Sequence, residues 1–362
     1  MISYFKSENG TIGRIDEMES GCWVDVLEPT AEERAWLLEE LEIVPEFVRS
    51  AFDDEETAHI DVDDDTGQVL VIVDCPFVED ESEVVDTSIV QYDTHPISFL
   101  FVPEQDYFVT ICLRRNNTVA DFAHGKYRDI YTDLRTRFLL QMLLRVAQRY
   151  LVCLRSIMRQ IRESERTLRK TMNNRELMKM LGLEKSLVYF STSLKGLEST
   201  VSRISSGRMM ELYEDDRELL DDVMIEIHQA AEMCTIYTNI LNGITDTFSS
   251  VISNNLNITM RTLTIITLVL AIPTIVFSFY GMNVEMLPLI NTPWFAVLLA
   301  VVLCVIAVII LRSGRILKSR APNSRCPLRF PSTEQAKLVP PPRLRPYPPR
   351  SRHRFQHRPG FE

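Results

Sequence analysis

Apolar and polar positions change their period twice along this chain, and each change marks a new kind of structure. Trp23-Val24-Asp25-Val26 is a short strand-like run. Thr30 then reads as an N-cap with Glu33 three residues on, a capping box for the helix AEERAWLLEELEI. A second helix is expected from Pro45 to Asp54. Strands are expected over Val69–Asp74, Asp86–Tyr92, Ile97–Val102 and Tyr107–Cys112, with Pro103-Glu104-Gln105-Asp106 as the turn before the last. Residues 1–125 are therefore read as an α/β domain, a sheet layered with helices.

From about Ile130 the strand signal stops. Leu134, Phe138, Leu139, Met142, Leu143, Val146, Tyr150, Leu151 and Leu154 recur at helical spacing. A second helical block covers 174–206 and a third begins near Tyr213, so residues 126–250 are read as a helical region ending in a stalk helix. No proline lies between Pro103 and Pro273, so the last helix can run from about Asp215 to Tyr280. At ~1.5 Å per residue that is a rod of roughly 100 Å, which needs neighbours to be stable.

The third period is continuous apolarity. Residues 262–280 and 292–311 are uncharged and mostly apolar, each close to the ~20 residues that cross a hydrocarbon core. They predict a pore-side segment 251–280, a short outer loop 281–291 and a second span 292–311, a two-helix membrane hairpin. The loop has no Lys or Arg, whereas Arg261, Arg312, Arg315, Lys318 and Arg320 flank the spans. The positive-inside rule then puts both termini in the cytoplasm of a multi-pass cell (inner or plasma) membrane protein. The N-terminus MISYFKSENG has no apolar core of a signal peptide. Seven scattered cysteines without a C-x-x-C pair fit reduced thiols.

Charge narrows the function classes. Residues 1–250 hold 25 basic against 47 acidic residues, a balance of −22. That sign argues against nucleic acid as a partner and suits cations. No G-x-x-x-x-G-K-[ST] loop is present and His59, His95, His124 and His228 show no catalytic spacing, so neither an enzyme nor an organic cofactor is expected. The tail 312–362 is basic, and its part from 321 on, with ten prolines and eight arginines, is expected to be disordered.

Along the first span, Asn257, Met260, Leu263 (or Thr264), Thr267, Ala271, Thr274 and Ser278 recur every three or four residues and form a thin polar seam. The seam fits either a water-filled path or close helix packing by small side chains.

Tyr280-Gly281-Met282-Asn283, at the end of the first span, resembles the signature of the CorA-type magnesium transporter family. The WVDV-EPT-E-E opening at 23–33 and EETAHID at 55–61 resemble early parts of the same family. The resemblance implies a homopentameric funnel in a lipid bilayer, with five first spans around one axis. It implies uptake of Mg²⁺, with Co²⁺ and Ni²⁺ as further candidates. Asn283 would form a ring that accepts hydrogen bonds from the ion's water shell, which Mg²⁺ sheds reluctantly. Gly281 would allow the turn that ends the helix, and Tyr280 and Met282 would pack to hold Asn283. Glu285 would concentrate cations at the outer mouth. Leu263 and Met260 would form a greasy constriction and Thr274 a hydroxyl ring. Membrane potential suffices as driver, since a divalent ion gains about 4.6 kcal/mol at 100 mV.

In this family, cytosolic Mg²⁺ bound between subunits closes the pore. Counting back from Asn283, Asp222 takes the regulatory aspartate's place, with Asp221 beside it. Where the family carries an acidic partner pair, this chain has Arg49-Ser50, and Asp53 and Asp54 one turn on are the candidate replacements. The alternatives are a transporter of another divalent ion such as Zn²⁺, from which Met282 argues away, and a non-conducting membrane-anchored scaffold or sensor.

Overall fold

The structure is a computed structural model that describes residues 1–78, 91–171, 174–207, 209–210, 212–282 and 293–313. The chain divides into two compact units, Met1–Asn254 and Asn255–Glu362.

The first unit is built on a seven-stranded sheet. Its strands are β1 (Ile2–Glu8), β2 (Thr11–Ile15), β3 (Trp23–Leu27), β4 (His59–Val62), β5 (Val69–Val78), β6 (Tyr92–Val102) and β7 (Tyr107–Cys112). Their order is β2-β1-β3-β7-β6-β5-β4. The β3–β7 pair is parallel, with Trp23 opposite Phe108; the other five pairs are antiparallel. Alternate residues of one strand serve opposite layers, because successive side chains point to opposite faces. Val24, Val26, Leu70, Ile72, Leu100, Val109 and Ile111 pack with helices α1 (Ala31–Glu39) and α2 (Pro45–Ala51). Trp23, Val71, Val73, Phe99, Phe101 and Phe108 pack on the other face with the long helices.

The expected capping box is present: Thr30 Oγ1 accepts from Glu33 N at 3.2 Å, and Glu33 Oε2 accepts from Thr30 N at 2.9 Å. Three elements were not anticipated. The β1–β2 hairpin turns on Asn9-Gly10, both at positive φ (51° and 78°), the two-residue turn that matches strand twist. β4 precedes an Asp63–Gly67 turn in which Asp63 Oδ2 accepts from Thr66 N and Oγ1. α3 (Asn117–Ala123) is capped by the Asn116 carboxamide, which accepts from Thr118 N at 2.8 Å. The expected strand Asp86–Tyr92 falls outside the described residues except at its end, where β6 begins.

Behind the sheet lie α4 (Arg135–Thr171), α5 (Asn174–Ser205) and the first part of α6 (Glu214–Tyr280). The predicted stripe of α4 is buried from Phe138 to Leu154, whereas Leu134 precedes the helix and is exposed. Phe138 is the centre of an aromatic cluster, edge-on to Trp23, Phe108 and Phe122 at 5.1–5.7 Å.

The second unit contains the end of α6 and α7 (Pro293–Ser313). α6 carries a stretch long and apolar enough to cross a membrane, and only 6% of it is buried. The apolar part of α7, Trp294–Ile310, is shorter.

Candidate ion pathway and regulatory acids

Between Arg261 and Tyr280 the side chains of α6 divide into two faces. Ile265, Val269, Ile272, Val276 and Tyr280 are buried or half-buried. α7 lies against this face. The Tyr280 and Phe295 rings meet edge-on at 6.0 Å, and Val276 and Ala300 are buried. The seam residues lie on the other side, since at ~100° per residue Thr267 and Val276 stand opposite each other. Asn257, Met260, Leu263, Thr267, Thr274 and Ser278 are exposed in the single chain, and Ala271 is half-buried. Packing on α7 therefore does not use the polar seam.

The seam's hydroxyls are oriented by the helix itself. Thr267 Oγ1 donates to Leu263 O at 2.9 Å and Thr274 Oγ1 to Leu270 O at 3.1 Å. Each hydroxyl hydrogen is thereby committed to the backbone, and the oxygen lone pairs remain as acceptors. Acceptors facing outward suit a cation or its water shell.

Pro273 sits inside α6 and has no N–H to give Val269 O. Cys304 on α7 supplies a substitute: its Sγ stands 3.7 Å from that oxygen. Sequence reading missed this pairing. A proline in an apolar helix is the available signal, because it frees a carbonyl four residues back; nothing in the sequence says which donor answers it.

Gly281 N donates to Phe277 O at 2.9 Å, so the last turn closes normally. Gly281 does not have a positive φ. Space at the glycine is tight instead: an added Cβ would stand 3.1 Å from Phe277 O. Tyr280 packs on Phe295, as an anchoring role requires, but Met282 is 54% exposed in the single chain. Asn283 and Glu285, the expected filter and outer acid, lie outside the described residues, as do the rest of the loop to 292 and the tail beyond 313.

The four candidate regulatory acids do not converge within one chain. Asp221 and Asp222 are exposed on α6, and Asp53 and Asp54 are exposed after α2. Asp53 Oδ1 accepts from Glu55 N at 3.0 Å. Asp54 is ion-paired, 3.2 Å from Arg114 Nη2 and 3.5 Å from His95 Nδ1. Among the described residues no three His, Cys, Asp or Glu side chains are grouped to hold a metal ion. Ile225, Ile236 and Ile240 lie on the same face of α6 as Asp222 and are exposed too.

Residues 19–312 match the family model of the CorA-like Mg²⁺ transporter proteins. The chain belongs to this family. Its members are membrane-bound ion transporters, not enzymes. The cobalt/magnesium transport protein CorA of Methanocaldococcus jannaschii is 26% identical over 294 residues, 80% of this chain and 89% of that one. The complete structure of the CorA magnesium transporter from the same organism matches with a TM-score of 0.73 at 23% identity, covering 87% of this chain and 98% of that one. The ZntB cytoplasmic domain of Vibrio parahaemolyticus matches at 0.53 and 11% identity, covering 70% of this chain and 98% of that domain. These last two likenesses concern the fold.

Proposed function

We propose that this chain is a subunit of a Mg²⁺ uptake channel, with Co²⁺ and Ni²⁺ as further cargo, driven by membrane potential. The observation that carries the reading is the polar seam on the face of α6 turned away from α7. A two-span subunit cannot enclose a pore, so several copies must bring their seams to one axis, and five is the number the family resemblance implies. The exposed isoleucines on the Asp222 face offer a surface for such self-association. In this arrangement α6 and α7 form the membrane hairpin, both termini are cytoplasmic, and residues 281–291 form the outer loop. Asn283 rings bind hydrated ion, Glu285 gathers cations, Thr274 and Thr267 present acceptor oxygens, and Leu263 and Met260 close the path by dewetting. Gly281, Met282 and Tyr280 set the position of Asn283. Asn257 and Ser278 give polar rings at the two ends of the seam, with the small Ala271 between them.

Cytosolic Mg²⁺ closes the channel by bridging carboxylates of adjacent copies, Asp222 and Asp221 against Asp53 and Asp54.

The test is Mg²⁺ uptake into proteoliposomes under an imposed potential. The parent should conduct, and Asn283→Ala should lose uptake while the oligomer keeps its size in light scattering. Undiminished uptake by Asn283→Ala, or a monomeric parent, would overturn the reading. Running the same assay with Zn²⁺ separates magnesium transport from its zinc alternative.

A further inference from the structure

A cleft of about 850 Å³ opens in the first unit, where the start of β5 and the end of β6 meet the N-termini of α4 and α6. Its volume falls within the ~300–1,000 Å³ of small-molecule sites. One wall is apolar: Phe101 on β6, Leu134 just before α4, and Met209 and Met210 before α6. Methionine is unbranched and adapts its shape to what it touches.

The rest of the lining carries charge, and the two signs are unequal. Both arginines of the cleft already face a carboxylate: Arg135 Nη2 stands 3.2 Å from Asp106 Oδ1, and Arg137 Nη1 3.6 Å from Asp215 Oδ2. The other terminal nitrogen of Arg135, Nη1, is closed off from solvent and so is not offered to a ligand. Asp133, Glu214 and Asp216 also line the cleft, and none has an ion-pair partner among the described residues. Asp133 and Glu214 are exposed, whereas Asp216 is only 4% exposed. Asp216 is the third residue of α6, and its Oδ2 accepts from Tyr213 N at 3.2 Å, half of a capping box. That bond accounts for one oxygen; Oδ1 has no hydrogen-bond partner among the described residues. The two helix N-termini supply about +0.5 charge each, too little for three uncompensated carboxylates. A buried carboxylate is costly unless its charge is answered, and the cleft is the space beside this one.

We propose that this cleft binds a small organic ammonium ion with an apolar body. Asp216 would accept an N–H of the ammonium, and Asp133 and Glu214 would draw it in from the rim. Phe101, Leu134, Met209 and Met210 would cover the apolar body. Ionised carboxylates only accept hydrogen bonds, and an ammonium only donates them. A bare metal ion fits less well: among the described residues no three acids are grouped to hold one, and an ion has no use for the apolar wall. An anion would meet the unpaired carboxylates. The inference does not rest on the transport reading, because the cleft lies within Met1–Asn254 and is read by binding, not by uptake.

Equilibrium dialysis of radiolabelled phenethylamine against the full-length protein in detergent tests this. Partition into micelles is the same for parent and variants, so the difference between them is the signal. The parent should bind the amine saturably. Asp216→Asn keeps an acceptor for Tyr213 N, removes the charge, and should weaken binding at least tenfold. The double variant D133N/E214Q changes only exposed, unpaired groups and should weaken it several-fold, which keeps the test open if Asp216→Asn does not fold. Phenethyl alcohol has the body without the charge and methylamine the charge without the body. Each should displace the label at least tenfold less well than unlabelled phenethylamine. Equal binding by the parent and the folded variants would overturn the proposal. Displacement by phenethyl alcohol as effective as by the amine would also overturn it, leaving a merely apolar cleft. So would displacement by phenylpropionate, an anion of the same body, or by Mg²⁺ at the amine's concentration, which would assign the carboxylates to a metal ion.

Discussion

The two units of this chain treat their apolar side chains in opposite ways. In the first, Phe138, Trp23, Phe108 and Phe190 are fully hidden, and the buried Trp23 Nε1 finds its acceptor in Thr110 Oγ1. In the second, Leu263, Leu270 and Ile275 are 64–67% exposed, and among the described residues most of the polar seam is exposed on the side away from α7. The first unit buries most of its large apolar side chains within itself; the second leaves most of its own exposed among the described residues. Water penalises exposed apolar surface by about 25 cal/mol per Å², so lipid and further copies are the surroundings in which that surface is stable. The same contrast separates residues that set stability from residues that set function.

The largest expected effect tests that separation. Phe138→Ala removes the hub of the aromatic cluster and should cost about 3–5 kcal/mol, the range for deleting a buried ring. Leu263→Ala removes a side chain exposed in the chain, and should change the unfolding free energy of the first unit by less than about 0.5 kcal/mol. Denaturant titration of the full-length protein in detergent reads both. Equal losses would show that the two units are not independent in stability.

The polar groups inside the first unit give the next effect. Trp23 Nε1 donates to Thr110 Oγ1 at 2.9 Å, and that hydroxyl donates to Asp25 Oδ1 at 2.7 Å. Burial pushes the Asp25 carboxyl up to about 6, against the smaller opposing pulls of the Thr110 hydrogen bond and the N-terminal charge. The folded value is raised above the unfolded one, so the folded state holds the proton more tightly. Stability from this group is greatest below about pH 4 and falls as pH rises to about 6, then stays level. Asp25→Asn keeps an acceptor for Thr110 and removes the charge. It should flatten that pH dependence and stabilise the protein at pH 7 by up to about 3 kcal/mol, at ~1.4 kcal/mol per unit. An unchanged slope between pH 4 and 6 would show that Asp25 titrates normally.

In the second unit the matching polar contact joins Cys304 to the carbonyl freed by Pro273. Cys304→Ala should cost about 1 kcal/mol by leaving that oxygen without its donor. Cys304→Ser, which keeps a donor, should recover part of it in thermal unfolding. Identical losses in both variants would mean that packing volume, not the donor, is what matters.

Much of this was legible in the sequence where the signal is local. The Thr30–Glu33 box, the Tyr107–Cys112 strand and the start of α6 near Asp215 depend on neighbouring residues, and the structure has them. The β1–β2 hairpin was legible too, in Asn9-Gly10, but its flanking strands alternate weakly and it was overlooked. The polar seam could be seen because helical periodicity is local. Its two readings could not be separated, since the face that α7 covers is a tertiary fact. The regulatory acids are a different case: a site shared between copies, as proposed above, would leave no pattern within one chain.

That point frames the smallest expected effect. Asp222 is exposed and belongs to no metal-holding group among the described residues, so Asp222→Asn should leave the stability of the subunit unchanged. Its effect should appear only in the assembled protein. Empty carboxylates repel across a subunit boundary, and a divalent ion removes the repulsion by bridging them. The substitution removes a ligand, which weakens protection by Mg²⁺, and a repelling charge, which stabilises the closed form without Mg²⁺. Both changes act in one direction on the difference between the two conditions. Proteolysis of the first unit should therefore differ less between chelator and millimolar Mg²⁺ in Asp222→Asn than in the parent. If the two proteins show the same Mg²⁺-dependent protection, Asp222 is not a sensor. Asp53→Asn should then be tried before Asp54→Asn, because Arg114 and His95 already hold the Asp54 carboxylate and would compete with the ion for it.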